Sequence, residues 1–160
     1  MKAIVTGGAG FIGSHLSDKL VNEGHEVVII DNLSTGQKDQ INPKAKFYEL
    51  DIRSKEIETV FQNEKPDLVF HLAAQMSVPY SVEDPFNDLD VNGNGILNLL
   101  EASRKVGIKK FIFSSTGGAI YGDAETIPTP ETEIARPLAP YGITKLLSEN
   151  YLYFYNKNYG

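Results

Sequence analysis

The chain has 160 residues, a formal net charge of −6 and no cysteine, so one domain with a buried core is expected. A disulfide framework, a thiolate nucleophile and a cysteine-ligated metal are excluded, and no metal site is expected. No basic stripe offers itself to nucleic acid, and no apolar run approaches the ~20 residues that cross a bilayer.

In chain order, short apolar runs alternate with amphipathic stretches. Strands are predicted at Ala3–Thr6, Glu26–Ile30, Lys46–Leu50, Leu68–His71 and Lys110–Ser114. Their nearly continuous apolar character predicts burial on both faces. Helices are predicted at Phe11–Asn22, ended by Gly24, at Lys55–Asn63, stopped before Pro66, at Pro85–Val106, ended by Gly107, and at Pro140–Asn158. This alternation predicts a parallel, doubly wound sheet of the Rossmann type in a three-layer α/β/α arrangement over residues 1–160. Residues 126–140 read as a long loop over a site. Met1-Lys2 runs straight into the first strand with no signal-like segment, so a cytoplasmic location is expected.

Gly7-x-x-Gly10-x-x-Gly13 falls between the first strand and the first helix. Glycine there permits a tight turn and close approach of backbone to a pyrophosphate, and the helix N-terminus offers unpaired N–H groups to the anion. Asp31 ends the second strand, where a carboxylate accepts hydrogen bonds from ribose hydroxyls and repels a 2′-phosphate. NAD is therefore the expected cofactor. Asp51 and Ile52 follow the third strand and offer adenine a carboxylate and an apolar wall; a helix-capping role is the competing reading. Leu72, Ala73, Ala74 and Gln75 follow the fourth strand, where small residues let a cofactor lie across the sheet edge. His71 reads as a packed strand-end residue.

Ser114-Ser115-Thr116 ends the fifth strand with hydroxyls able to bond a substrate alcohol or ketone. Tyr141 and Lys145 are four residues apart on the last helix and share a face. An ordinary tyrosine, with pKa near ~10, is a poor base at pH 7. A neighbouring ammonium and a positive nicotinamide are expected to lower that value. The aromatic cluster Tyr151, Tyr153, Phe154, Tyr155 and Tyr159 reads as a core or interface face.

With these residues assembled, the chain resembles the extended short-chain dehydrogenases, and among them the nucleotide-sugar epimerases of UDP-glucose 4-epimerase type. The resemblance covers essentially the whole sequence. It rests on TGGAGFIGSHL from Thr6, DNLSTG from Asp31, DIR from Asp51, HLAAQ from His71, FSSTGGAIYG from Phe113 and PYGITK from Pro140. It implies that Gly7, Gly10, Phe11, Ile12 and Gly13 hold the pyrophosphate. Asp31, Asn32, Leu33, Ser34, Thr35 and Gly36 would surround the adenosine ribose, with Asp51 and Ile52 at the adenine. Thr116, Tyr141 and Lys145 would be the catalytic trio, with Tyr141 and Lys145 also touching the cofactor. The implied activity is reversible oxidation at C4 of a UDP-sugar, rotation of the 4-keto intermediate and reduction on its other face. A homodimer through the third and last long helices is implied as well.

Two departures qualify the resemblance. Gly117-Gly118 adds a residue between the hydroxyl and Tyr121-Gly122, which leaves Ser115 as an alternative to Thr116. It also leaves no Asp-Glu pair after the threonine, which disfavours the dehydration carried out by related enzymes. The sequence ends at Gly160, whereas the family continues into a sixth strand and a smaller substrate domain. The chain is therefore expected to be the cofactor-binding portion of a longer protein. An NAD-binding fragment without turnover, and a nucleotide-sugar reductase or decarboxylase, are the alternative readings.

Overall fold

Five parallel strands, β1 (Lys2–Thr6), β2 (Glu26–Asp31), β3 (Lys46–Glu49), β4 (Leu68–His71) and β5 (Lys110–Phe113), form one sheet in the order β3-β2-β1-β4-β5. The computed structural model describes residues 1–124 and 126–160. The chain divides into two compact units, one of Met1–Ala74 with Gly95–Ser114 and one of Gln75–Asn94 with Ser115–Gly160.

The first unit contains the sheet with α1 (Phe11–Asn22), α2 (Glu56–Glu64) and α5 (Gly95–Val106). Strand side chains alternate between two apolar layers, as the two-residue strand period requires. Ile4, Val28, Ile30 and Val69 pack with Ile57, Val60 and Phe61 of α2 and Leu99 and Ala102 of α5. Ala3, Val5, Val27 and Ile29 pack with Leu20, Leu16 and Val21 of α1. Helices therefore cover both faces, giving the α/β/α arrangement and doubly wound order expected of the sequence. Burial on both faces holds for β1 and β2 but not for β3 and β5, whose residues are exposed or half-buried. These two lie at the margins of the sheet, where fewer neighbours cover them.

The second unit holds α3 (Val78–Glu83), α4 (Pro85–Asp88), a π turn (Leu89–Asn94), α6 (Gly117–Ile120) and α7 (Pro140–Tyr159). The single helix predicted over Pro85–Val106 is therefore α4, the π turn and α5. Gly93, Asn94 and Gly95 are poor helix formers. Asn92 spends its side-chain amide on the Gln75 carbonyl at 2.9 Å, and the widened turn accommodates it. α3 was not predicted, although it carries a readable start: Ser77 Oγ accepts from Tyr80 N–H at 3.2 Å, and Pro79 stands in the first turn. The described residues between α6 and α7 are irregular, as expected of a long loop.

Candidate functional site

In the first unit the glycine turn is closed by backbone. Gly7 adopts the left-handed conformation at φ 72°, which glycine reaches without penalty. Its N–H donates to the Ile30 carbonyl at 2.9 Å, and its carbonyl accepts from Gly10 N–H at 3.1 Å. A Cβ on Gly13 would lie 2.8 Å from both the carbonyl carbon of Gly7 and the Cα of Gly8. Glycine is thus required where α1 meets the turn. Gly10 caps α1 without a side chain, and no acid stands in the first turn. The first-turn N–H groups of Phe11, Ile12 and Gly13 and the positive helix end are left for an external anion. Phe11 and Ile12 are 76% and 63% exposed beside them.

The segment Asp31–Gly36 folds back onto this turn. Ala9 N–H donates to Asp31 Oδ2 at 3.0 Å, and Leu33 N–H donates to Oδ1 at 2.8 Å. Gln37 N–H donates to the Ala9 carbonyl at 2.9 Å. A Cβ on Gly36 would lie 2.9 Å from Ala9 Cβ. Leu33 is left-handed at φ 57°, a strained conformation for a branched side chain that its hydrogen bond to Asp31 holds in place. Ser34 N–H donates to Asn32 Oδ1 at 3.1 Å, and Asn32 Nδ2 donates to Asp51 Oδ2 at 2.9 Å. Thr35 is exposed in the same segment.

Asp51 is also clasped by the Arg53 guanidinium, with Nη2 to Oδ2 at 2.8 Å. That hydrogen bond, opposed by burial, holds its carboxyl well below the usual carboxylate range. Ile52 is 5% exposed and sits in the core layer with α2 and α5. Ala73 lies against the glycine turn, its N–H and that of Leu72 each reaching Thr6 Oγ1 at 3.3 Å. Ala74 closes this stretch of the unit. His71 is buried, bonded to Thr6 Oγ1 at 2.8 Å and stacked near Phe111 and Phe113.

The first unit thus gathers the glycine turn, Asp31–Gly36, Asp51 and Leu72–Ala73 around one helix N-terminus. The uncapped, acid-free start of α1 and a carboxylate held at the end of β2 fit a dinucleotide with its pyrophosphate on the helix end. Asp31 can serve a ribose while holding the loop, because each carboxylate oxygen has a second lone pair to offer.

The second unit brings the three predicted catalytic residues together. Tyr141, Thr144, Lys145 and Ser148 recur at helical spacing and line the inward face of α7. Tyr141 N–H donates to Ser81 Oγ at 3.2 Å. Gly142 is needed because a Cβ there would lie 2.8 Å from Pro137 Cβ, with the Ala119 carbonyl closer still. The Thr116 side chain hydrogen-bonds the Tyr141 side chain. Lys145 Nζ lies 5.7 Å from the centroid of the Tyr141 ring. Ser115 instead donates its hydroxyl to Glu149 Oε1, so it is Thr116 that meets the phenol.

The expected lowering of the phenol rests on a bound positive nicotinamide as well as the ammonium; the protein's own groups act in both directions. Burial pushes the Tyr141 phenol up, the Thr116 hydrogen bond pulls it down, and the negative charge of Asp88 pushes it up again. Lys145 is itself buried, at 4% exposure. Burial pushes its ammonium down to about 8, against the pull of Asp88.

Sequence reasoning missed the buried set Asp88, Asn92 and Thr144, which the half-buried Gln75 joins. Gln75, expected beside a cofactor, donates through Nε2 to Asp88 Oδ1 at 2.8 Å and to the Ser77 carbonyl at 3.0 Å. The available signal was Asp88 and Asn92, two polar residues four apart in a helical stretch. The aromatic cluster of α7 is not core: Tyr153, Phe154 and Tyr159 are exposed.

The model of the NAD dependent epimerase/dehydratase family matches residues 3–160. The chain belongs to that family. As a member of the epimerase/dehydratase family, it is 43% identical over 161 residues to a UDP-glucose 4-epimerase of Lacticaseibacillus casei, covering all of this chain and 48% of that protein. Among solved structures it superposes on a Thermotoga maritima UDP-glucose 4-epimerase with UDP-glucose at a TM-score of 0.98 and 54% identity. It superposes on a Thermus thermophilus UDP-glucose 4-epimerase in complex with NAD at 0.97 and 48%. In both cases all of this chain and 52% of the other are covered. The epimerase/dehydratase chain thus spans about half the length of the relatives it matches. Among the described residues no helix is long and apolar enough to cross a membrane.

Proposed function

We propose that this chain is the N-terminal, NAD-binding and proton-transferring portion of a nucleotide-sugar 4-epimerase, with UDP-glucose and UDP-galactose as the substrate pair. A substrate domain would follow it. The observation that carries the reading is the Thr116–Tyr141 hydrogen bond with Lys145 buried over the phenol ring.

In this reading Phe11, Ile12 and Gly13 present backbone N–H groups to the pyrophosphate, and Asp31 accepts from the adenosine ribose. When bound, NAD supplies a hydride acceptor and donor and a positive charge. Tyr141 takes the proton of the sugar C4 hydroxyl and returns it after the 4-keto sugar has turned over. Thr116 holds the phenol and shares the developing charge. Lys145 supplies the cation that favours the phenolate. Gly117-Gly118 after Thr116 offers no acid to remove water, which supports epimerisation over dehydration.

The test is the full-length protein incubated with UDP-glucose. Formation of UDP-galactose without net NADH is expected, and no conversion of any UDP-sugar refutes the reading. Calorimetric titration with NAD separates a binding module from a failed fold. A homodimer and a cytoplasmic location belong to the same reading. Val82, Phe86 and Tyr153, at 63%, 84% and 66% exposure, are apolar surface that supports the dimer. Sedimentation equilibrium tests the dimer, and cell fractionation tests the location.

A further inference from the structure

A carboxylate with no role in the proposed reaction lies at the inward face of α7. Asp88 is fully buried at 0% exposure. Its Oδ1 accepts from Gln75 Nε2 at 2.8 Å and from Asn92 Nδ2 at 3.1 Å, and its Oδ2 accepts from the Thr144 hydroxyl at 2.8 Å. The remaining polar atoms of this set are also engaged. Asn92 Oδ1 accepts from Gln75 N–H at 2.9 Å, and Gln75 Oε1 accepts from Ser77 N–H at 2.6 Å. A buried carboxylate is tolerated when donors surround it and a cation balances it. The donors are these three side chains. The cation that feels its charge is Lys145, next in sequence to Thr144 and itself buried.

Asp88 acts on both members of the pair. Burial lowers the Lys145 ammonium and the negative charge of Asp88 raises it. Burial raises the Tyr141 phenol and the same charge adds to that, against Thr116. The elements packed on α7 are α3, α4, the π turn and α6. Their other acids are turned to other tasks: Asp84 caps α4 at Asn87 N–H, Asp90 accepts from Asn94, and Glu83 is exposed. Tyr80 on α3 is exposed, Tyr121 follows α6, and Glu149 on α7 itself accepts from Ser115.

We propose that Asp88 is a positioning residue for the epimerase reaction: its buried carboxylate is the counter-charge of the Lys145 ammonium and, through Thr144, anchors the turn of α7 that carries Tyr141 and Lys145. The kinetic part of this proposal rests on the function proposed above; the electrostatic part does not.

The test uses the full-length protein with 13C-labelled lysine side chains. The Lys145 signal is assigned by its loss in Lys145→Arg. In Asp88→Asn the Lys145 titration is expected to move down by about one to two pH units. Both limbs of the kcat profile should move to lower pH with it, because the same charge raises lysine and phenol alike. Asp88→Glu keeps the charge and should return the limbs to their original positions. An unchanged Lys145 titration in Asp88→Asn overturns the proposal, as does a fall in kcat with both limbs unmoved. If Asp88→Asn does not fold, the wild-type titration decides: an ammonium at pH 7 supports the counter-charge, and a neutral amine overturns it. A shifted titration in a protein that epimerises no sugar would refute the function and leave Asp88 in its role.

Discussion

Replacing Gly13 by alanine tests the glycine turn at its tightest point. The added methyl would sit 2.8 Å from both the Gly7 carbonyl carbon and Gly8 Cα, well inside the ordinary separation of about 3.5–4.0 Å. Gly7 has no room to retreat. It is bonded on one side to the Ile30 carbonyl at 2.9 Å, and a Cβ of its own would meet Ala73 N at 2.7 Å. The start of α1 must move instead. Overpacking of this kind costs about 1–3 kcal/mol, and with backbone on both sides the expected loss is about 3 kcal/mol. The same displacement withdraws N–H groups from a phosphate. Losing one hydrogen bond to a charged group, about 1.5–3 kcal/mol, weakens NAD at least about tenfold. Urea unfolding reads the first effect, and calorimetric titration of the full-length protein with NAD reads the second. Gly10→Ala is the control, since its methyl meets only the Gly7 carbonyl oxygen, at 3.3 Å; a loss below about 1 kcal/mol is expected there. A Gly13→Ala protein as stable as the wild type, with the same NAD affinity, would refute the reasoning.

Tyr141→Phe removes the proposed proton carrier and is expected to lower kcat by about 10²–10⁴-fold while NAD binding stays unchanged, as measured by steady-state kinetics and calorimetry. Thr116→Val is expected to reduce kcat by at least about tenfold, whereas Ser115→Ala stays within a few-fold, because the phenol meets Thr116 and Ser115 meets Glu149. The reverse order would make Ser115 the working hydroxyl. In the first unit, burial pushes the Glu64 carboxyl up, but hydrogen bonds from Lys46, Tyr48 and Lys2 outweigh it and hold the group at about 2, below its ordinary 4.5. A depressed carboxyl stabilises the fold fully above the unfolded value and loses that contribution as pH falls through the folded one. Urea unfolding from pH 7 to pH 2 should therefore show a loss of about 2–3 kcal/mol that Glu64→Gln abolishes by being less stable at pH 7.

The strands and α1 were legible because two-residue and 3.6-residue periods dominate them, and because Gly24 and Gly107 mark helix ends. The glycine spacing and Asp31 were legible for a related reason: backbone conformation and charge at those positions leave few residue choices. What escaped was tertiary. The π turn depends on Asn92 bonding the Gln75 carbonyl, a partner 17 residues away that local propensity does not reveal. The buried role of Asp88 depends on Thr144, 56 residues away. The choice between Ser115 and Thr116 follows from which way each hydroxyl leaves the chain after β5. The upward push on the Tyr141 phenol escaped as well, because it comes from burial and from the charge of Asp88 on another helix.

The central claim is that a sugar C4 alcohol is oxidised and re-reduced on one bound cofactor, with Tyr141 carrying the proton. The most direct measurement is proton NMR of UDP-glucose turned over by the full-length protein in deuterium oxide. The account predicts UDP-galactose that retains its original hydrogen at C4, with no net NADH. Deuterium appearing at C4, or no UDP-galactose from a protein that binds NAD, would contradict it.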